Sequence, residues 1–209
     1  MKRLSSTTTS VFLAGLALVC FGEVGCAQNK VTKPPTAAVT NTAATPKKPD
    51  VIFVPTPQAV VDKMLEMAEV KPGDIVYDLG CGDGRIVVTA AKKYGVHATG
   101  VDIDPKRVQE SLENVRTNKV GHLVTIKQAD IFELDFSDAT VVTLYLLPDL
   151  NVRLMPKLAK LKPGTRIVSN DFDMRGAKPK EVVHVQAEYD DNSGREHTIY
   201  KWTVPWERE

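Results

Sequence analysis

The sequence predicts an α/β fold: a three-layer, doubly wound, mostly parallel seven-stranded sheet that ends in a C-terminal antiparallel hairpin. Three observations support this. Short apolar runs alternate with segments of helical periodicity between residues 75 and 172. A glycine-rich loop joins the first run to a helix, as in parallel folds that bind ligands. The last two strand-like runs, 181–189 and 197–204, are joined by a turn sequence without a helix, so one of them runs antiparallel.

Each element follows from a local pattern. Residues 51–57 form a short apolar segment with two prolines, and residues 58–70 have the apolar spacing of a helix that covers the sheet. The parallel strands are predicted at 75–79, 97–103, 123–129, 139–147 and 166–172. Helices are predicted at 84–94, from 105 onward and at 149–161. Pro156 predicts that the last helix is kinked or restarts one turn later.

The first 50 residues differ in composition from the rest. Lys2 and Arg3 precede an apolar segment at 11–22, which is too short to span a bilayer but typical of a secretory signal. Small residues precede a predicted cleavage after Ala27, so residues 1–27 are interpreted as a signal peptide. A lipoprotein signal with Cys26 as the lipidated residue is the alternative, although Glu23 stands where an aliphatic residue is usual. Both alternatives predict an exported protein, either periplasmic or membrane-tethered.

Residues 28–50 are rich in Thr, Ala, Pro and Lys and predict a disordered linker, which leaves residues 51–209 as the folded domain. That domain carries 21 Lys/Arg against 24 Asp/Glu, a net charge of −3. Proteins that bind nucleic acids usually neutralise phosphates with clustered basic residues, so no nucleic-acid partner is expected. A small molecule or a protein fits this charge better.

The loop at residues 75–85, IVYDLGCGDGR, is the main functional motif. Its apolar start predicts a buried strand, and its three glycines allow a sharp turn and a close approach by a ligand. Asp78 stands two residues before the first glycine, and Asp102 ends the next strand, where its carboxylate can accept both hydroxyls of a ribose. Asp78 alone also fits a loop cap, and Asp102 or Asp104 alone fits a helix cap. The combination predicts a cofactor site.

The domain resembles the class I S-adenosylmethionine-dependent methyltransferases over most of residues 51–209. Its G-x-G-x-G spacing differs from the G-x-G-x-x-G of NAD-binding proteins. The resemblance implies that S-adenosylmethionine is the cofactor, that Asp130 binds the adenine amino group and that Ile131 packs beside the ring. We predict no metal site. The predicted cofactor-binding residues are Asp78, Gly80, Cys81, Gly82, Gly84, Asp102, Ile103, Asp130 and Ile131.

The resemblance also implies that the methyl acceptor lies beyond the fourth strand. Methyl transfer from a sulfonium mainly requires alignment of the reacting atoms. The weak catalytic candidates are Tyr145 and Asn151, which are predicted to line the acceptor pocket, and Asp171 or Asp173, which are predicted to attract a cationic amine. Tyr145 also fits a core position, and the two acids also fit a solvated loop. Cys81 is predicted to matter for its small size and not for its thiol.

Three sequence segments, VPTP, DLGCGDGRIV and LYLLP, are similar to bacterial relatives of membrane-anchored mitochondrial protein-lysine methyltransferases. This similarity implies a protein lysine as the acceptor. The alternative is an exported, non-catalytic binding protein that keeps the fold, since S-adenosylmethionine is made in the cytoplasm. A dehydrogenase is disfavoured by the hairpin and the glycine spacing. The sequence does not indicate the oligomeric state.

Overall fold

The computed structural model describes residues 52–189 and 193–209. The predicted signal at 1–27 and the predicted linker at 28–50 lie outside the described residues. In the described part of the chain, no helix has both the length and the apolar character needed to cross a membrane.

The described residues form a mixed sheet in the order β3-β2-β1-β4-β5-β7-β6. The strands are β1 Ile75–Leu79, β2 His97–Asp102, β3 Val124–Gln128, β4 Val141–Leu144, β5 Arg166–Asn170, β6 Glu181–Glu188 and β7 Gly194–Thr203. The pairs among β1 to β5 are parallel, whereas β7 is antiparallel to both β5 and β6. The predicted seven-stranded sheet with a reversed C-terminal hairpin is therefore confirmed.

Helices cover both faces of the sheet. They are α1 Gln58–Met67, α2 Arg85–Tyr94, α3 Pro105–Thr117 and α4 Pro148–Leu158. Apolar side chains of α1, α2 and α3 pack in one core cluster, and those of α4 pack in a second cluster that also contains Phe136, Met174 and Trp202. The second face is completed by the helix-free connections 129–140 and 171–180, so the sheet is the middle of three layers.

The predicted restart at Pro156 is wrong, because α4 runs continuously to Leu158. Only two residues of the helix follow the proline, so its missing N–H removes one hydrogen bond near the helix end. Pro148 stands in the first turn of the same helix, where a proline is well tolerated. The helix therefore has a proline near each end.

The strand order reverses between β1 and β4, since β2 and β3 lie on one side of β1, and β4 and β5 lie on the other. Ligands of open α/β sheets bind at the carboxyl ends of the strands beside such a reversal. The glycine loop begins at the carboxyl end of β1, so the fold places this loop at the expected ligand position.

Candidate active site

A cavity of about 780 Å³ opens at the carboxyl ends of β1, β2 and β4. The predicted cofactor residues at β1 and β2 line it, namely Asp78, Gly80, Cys81, Asp102 and Ile103. Asp130, Ile131 and Tyr145 line it too. The structure thus brings eight of the predicted residues to one cavity, from three different connections of the sheet.

The glycine loop adopts the left-handed backbone that its sequence predicts. Gly80, Gly82 and Gly84 have φ values of +89°, +55° and +77°. A Cβ on Gly80 would come within 2.8 Å of Leu146 Cδ2, and a Cβ on Gly84 would come within 2.9 Å of Ser111 Oγ. Glycine is therefore required both for the backbone conformation and for the packing around the loop.

Asp78 is buried at the end of β1, with 2% of its surface exposed. The Thr143 hydroxyl donates a hydrogen bond of 2.8 Å to its carboxylate. Burial raises the pKa of Asp78 to about 7, although the Thr143 hydrogen bond acts in the opposite direction. The negative charge of Asp102 contributes to the rise. A cationic group in the cavity would therefore find a carboxyl that gains from ionising beside it.

Asp102 connects the end of β2 to the glycine loop. Its two oxygens accept hydrogen bonds from the backbone N–H groups of Gly82 and Asp104, each at 2.9 Å. Burial raises its pKa. Asp104, not Asp102, is the N-cap of α3, since its side chain accepts a hydrogen bond from the N–H of Lys106. The capping alternative thus holds for Asp104, and Asp102 remains the acid that lines the cavity.

At the third strand, Asp130 and Ile131 contribute a carboxylate and a buried apolar side chain to the cavity. Asp130 accepts a hydrogen bond of 2.9 Å from the N–H of Phe132, which fixes the turn after β3. Phe132 also lines the cavity. This combination of an acid with apolar neighbours suits a flat heterocycle that carries an amino group.

Cys81 is the free cysteine of the described residues, and its thiol is buried. The Sγ atom lies 3.6 Å from Ser111 Oγ and packs beside Gly100, where an added Cβ would be 3.0 Å from it. Burial raises the pKa of the thiol well above its usual range. Such a thiol is a poor nucleophile, in agreement with the predicted packing role.

The segment 52–57 was not predicted to belong to the site. The Phe53 ring lies so close to Gly82 that a Cβ there would be 2.1 Å from Phe53 Cε2. The Arg107 guanidinium stacks over the same ring at 4.5 Å. Arg85 donates a hydrogen bond of 2.7 Å to the carbonyl oxygen of Thr56, which ties the segment to the start of α2. The short apolar run before the VPTP motif was the available sequence signal.

Tyr145 lies in the cavity beyond β4, as predicted. Its ring stacks on Phe172, which also lines the cavity, with centroids 6.2 Å apart and an interplanar angle of 26°. Burial raises the pKa of Tyr145, and the charge of Asp171 raises it further. The phenol is therefore protonated at neutral pH.

Asp171 does not line the cavity but lies directly behind Tyr145. Both of its oxygens accept hydrogen bonds from the Arg195 guanidinium, and His197 Nδ1 lies 3.2 Å from Oδ2. Although burial acts to raise the pKa of Asp171, the hydrogen bonds from Arg195 and Tyr145 lower it. Because this carboxylate is already paired, it is a structural anchor and not the free acid that the sequence analysis expected.

The structure does not bring Asn151 or Asp173 to the cavity. The Asn151 amide is fully buried and donates hydrogen bonds to Ser169 Oγ and to the carbonyl oxygens of Phe172 and Asp173. It therefore holds the turn that carries Phe172. Leu150, its neighbour in α4, lines the cavity instead.

These features fit S-adenosylmethionine. The glycine loop leaves room beside the backbone, Asp78 and Asp102 present carboxyl groups to an ammonium and a ribose, and Ile131 presents an apolar surface to a ring. When bound, this cofactor supplies an activated methyl group on a sulfonium. Among the described residues, no group of three or more His, Cys, Asp or Glu side chains is arranged to hold a metal ion.

Comparisons with known proteins agree with this fit. The family model of the ANTKMT methyltransferase domain matches residues 78–181. A protein-lysine N-methyltransferase of Saccharolobus islandicus is 49% identical over 158 residues, which cover 75% of this chain and 95% of that protein. A lysine N-methyltransferase of Xenopus laevis that is named for ATP synthase is 30% identical over 131 residues, which cover 62% of this chain and 57% of that protein.

A solved structure has the same architecture. It is an RNA methyltransferase from Salinibacter ruber in complex with S-adenosyl-L-homocysteine, with 47% sequence identity and a TM-score of 0.66. The match covers 73% of this chain and 94% of that one. The chain is an S-adenosylmethionine-dependent methyltransferase of class I and belongs to the family of the ANTKMT methyltransferase domain.

Proposed function

We propose that this enzyme methylates lysine side chains of a protein. The observation that carries the proposal is the stacked pair of Tyr145 and Phe172 at the acceptor end of the cavity. Aromatic faces attract alkylammonium groups, and the phenol oxygen can accept a hydrogen bond from an amine. The Saccharolobus islandicus relative, which is named a protein-lysine N-methyltransferase, supports the same acceptor.

The charge around the cavity also favours a cationic acceptor. Five acids line it, against the two bases Arg85 and Arg107. Arg85 is paired with Asp83 at 2.7 Å, and Arg107 forms a 2.6 Å ion pair with Glu110. Basic charge available to phosphates is therefore limited at this opening, which disfavours an RNA backbone. The acids are Asp78, Asp83, Asp102, Asp104 and Asp130.

An amine must be unprotonated to attack a methyl carbon, so the site has to favour the neutral form. Leu146, Leu147 and Phe172 surround the acceptor end with apolar surface. Removing water from an ammonium lowers its pKa, so entry into this end promotes loss of the proton to solvent. Tyr145 then orients the amine, and this alignment is the main contribution of the protein to the rate.

The test uses the full 209-residue chain with S-adenosylmethionine labelled in its methyl group and a dialysed cell extract as the source of acceptors. We expect label in protease-sensitive material that yields methyllysine on acid hydrolysis. Asp102→Ala serves as the matched blank, because it lacks the carboxylate at the cofactor. Label confined to ribonuclease-sensitive material, or its absence, would contradict the proposal.

We also propose that the protein acts outside the cytoplasm, anchored or released by its first 27 residues. The support is the order of charge, apolar segment and small residues before Ala27 and Cys26. Mass spectrometry of the protein from its host distinguishes a start at Gln28 from a lipidated Cys26. An intact Met1 would contradict a cleaved leader.

A further inference from the structure

We infer that Arg195, a residue of β7, is a positioning residue for methyl transfer and acts by holding the Tyr145 hydroxyl in place through Asp171. The inference rests on the proposed function, because it concerns the group that meets the acceptor amine. Nothing in the local sequence around Arg195 indicates this role. Its link to Tyr145 crosses 50 residues of the chain.

The Arg195 guanidinium bridges three side chains at once. Nη1 donates to Asp171 Oδ1 at 3.2 Å, and Nη2 donates to Asp171 Oδ2. Nη2 also donates to the Tyr145 hydroxyl oxygen at 3.1 Å, and Nε donates to the Tyr189 hydroxyl oxygen at 3.0 Å. The planar fork of an arginine makes such a bridge rigid, whereas a lysine ammonium cannot span the same partners.

Asp171 is fixed from the opposite side as well. Its carboxylate accepts a hydrogen bond of 3.3 Å from the N–H of Thr198, and His197 Nδ1 lies 3.2 Å away. Its backbone has a φ of +60° and donates a 2.7 Å hydrogen bond to the carbonyl oxygen of Thr198. A carboxylate with this many partners has little freedom to accept a substrate cation or a proton. Its remaining role is to hold its neighbours.

The consequence falls on the phenol of Tyr145. Its hydroxyl is hydrogen-bonded to the Asp171 carboxylate, which can only accept, so the phenol proton is committed to Asp171. One lone pair of the oxygen accepts from Arg195. The other lone pair remains available, so Tyr145 meets an amine as a hydrogen-bond acceptor. An amine N–H held in this way points its nitrogen lone pair elsewhere, which is a condition for attack on a methyl carbon.

The test is a double-mutant cycle between Arg195→Gln and Tyr145→Phe in the full chain. The rate of methyllysine formation is measured at saturating S-adenosylmethionine, with ribonuclease-treated, dialysed extract protein as the acceptor. We expect Arg195→Gln to lower the rate about tenfold or more when Tyr145 is present. In the Tyr145→Phe background, the same substitution should lower the rate less than about twofold.

The control variant is Arg175→Gln, which removes an exposed arginine that pairs with Asp149 at 3.1 Å. It should keep the wild-type rate, and all variants should bind S-adenosylmethionine with wild-type affinity. If Arg195→Gln does not fold, Arg195→Lys enters the same cycle. An equal loss of rate in both backgrounds, or no loss in either, would overturn the inference. A wild-type protein that forms no methyllysine would instead refute the proposed function.

Discussion

The two ends of the cavity are built in different ways. At the cofactor end, Asp78, Gly82 and Asp102 lie in two consecutive strands and the loop between them, and their contacts span at most about one βα unit. At the acceptor end, Tyr145, Asp171 and Arg195 come from three strand ends separated by 24 to 50 residues. The first end depends on local turn geometry, and the second depends on the register of the reversed strand β7.

The largest effect is expected at the cofactor end, from Asp102→Ala. The variant loses the carboxylate that is predicted to bind the ribose and also holds the Gly82 N–H. Two hydrogen bonds to a charged group at roughly 2 kcal/mol each predict about a thousandfold weaker binding of S-adenosylmethionine. Titration calorimetry measures this. Asp149→Ala, which removes an exposed acid of α4, is the matched control, and equal affinities of the two variants would contradict the assignment.

The second prediction concerns pH and Asp78. Because burial raises its pKa from 3.8 to about 7, the folded state binds the proton more tightly than the unfolded state does. The free energy of unfolding of the cofactor-free protein should therefore fall between about pH 4 and pH 7 and then level off. In Asp78→Asn, a decline of roughly 3 kcal/mol should be absent. Urea denaturation at several pH values measures this, and parallel curves for the two proteins would contradict it.

The third prediction concerns the segment over the loop. Phe53→Ala removes the ring that packs on Gly82 and under the Arg107 guanidinium. Exposing this side of the cavity should weaken the binding of S-adenosylmethionine about tenfold, since one buried aromatic contact is lost. Val152→Ala on α4, whose side chain is partly exposed, is the control. Unchanged affinity in Phe53→Ala would show that the segment is no part of the site.

The smallest effect is expected for Cys81→Ala. The thiol contacts Ser111 and Gly100 and is buried, so a small apolar residue can replace it. Affinity and rate should change by less than about threefold. Loss of the rate alone, with affinity kept, would assign chemistry to the thiol and contradict the packing role.

The sequence predicted the cofactor end well because each signal there is local. Glycines at 80, 82 and 84 imply a left-handed turn, and all three have positive φ values. Acids after apolar runs imply strand ends, and Asp78, Asp102 and Asp130 all reach the cavity. Strand order was also accessible, since a terminal hairpin without a helix requires a reversed strand.

The acceptor end was less predictable because its contacts depend on tertiary packing. Asn151 was expected in the pocket, but the packing of α4 buries its amide against the turn at 172–173 and brings Leu150 to the cavity. Asp171 was expected to be a free acid, yet the pairing of β5 with β7 brings Arg195 against it. No spacing rule relates residues 171 and 195 before that register is known.

The most direct test of the two-ended cavity is single-turnover methyl transfer to extract protein, followed against the concentration of S-adenosylmethionine. Asp102→Ala should require far more cofactor and approach the wild-type rate at saturation. Tyr145→Phe should saturate at the wild-type concentration with a rate about tenfold lower. If both variants change the half-saturating concentration and the maximal rate by the same factors, the two ends do not act separately and the account is wrong.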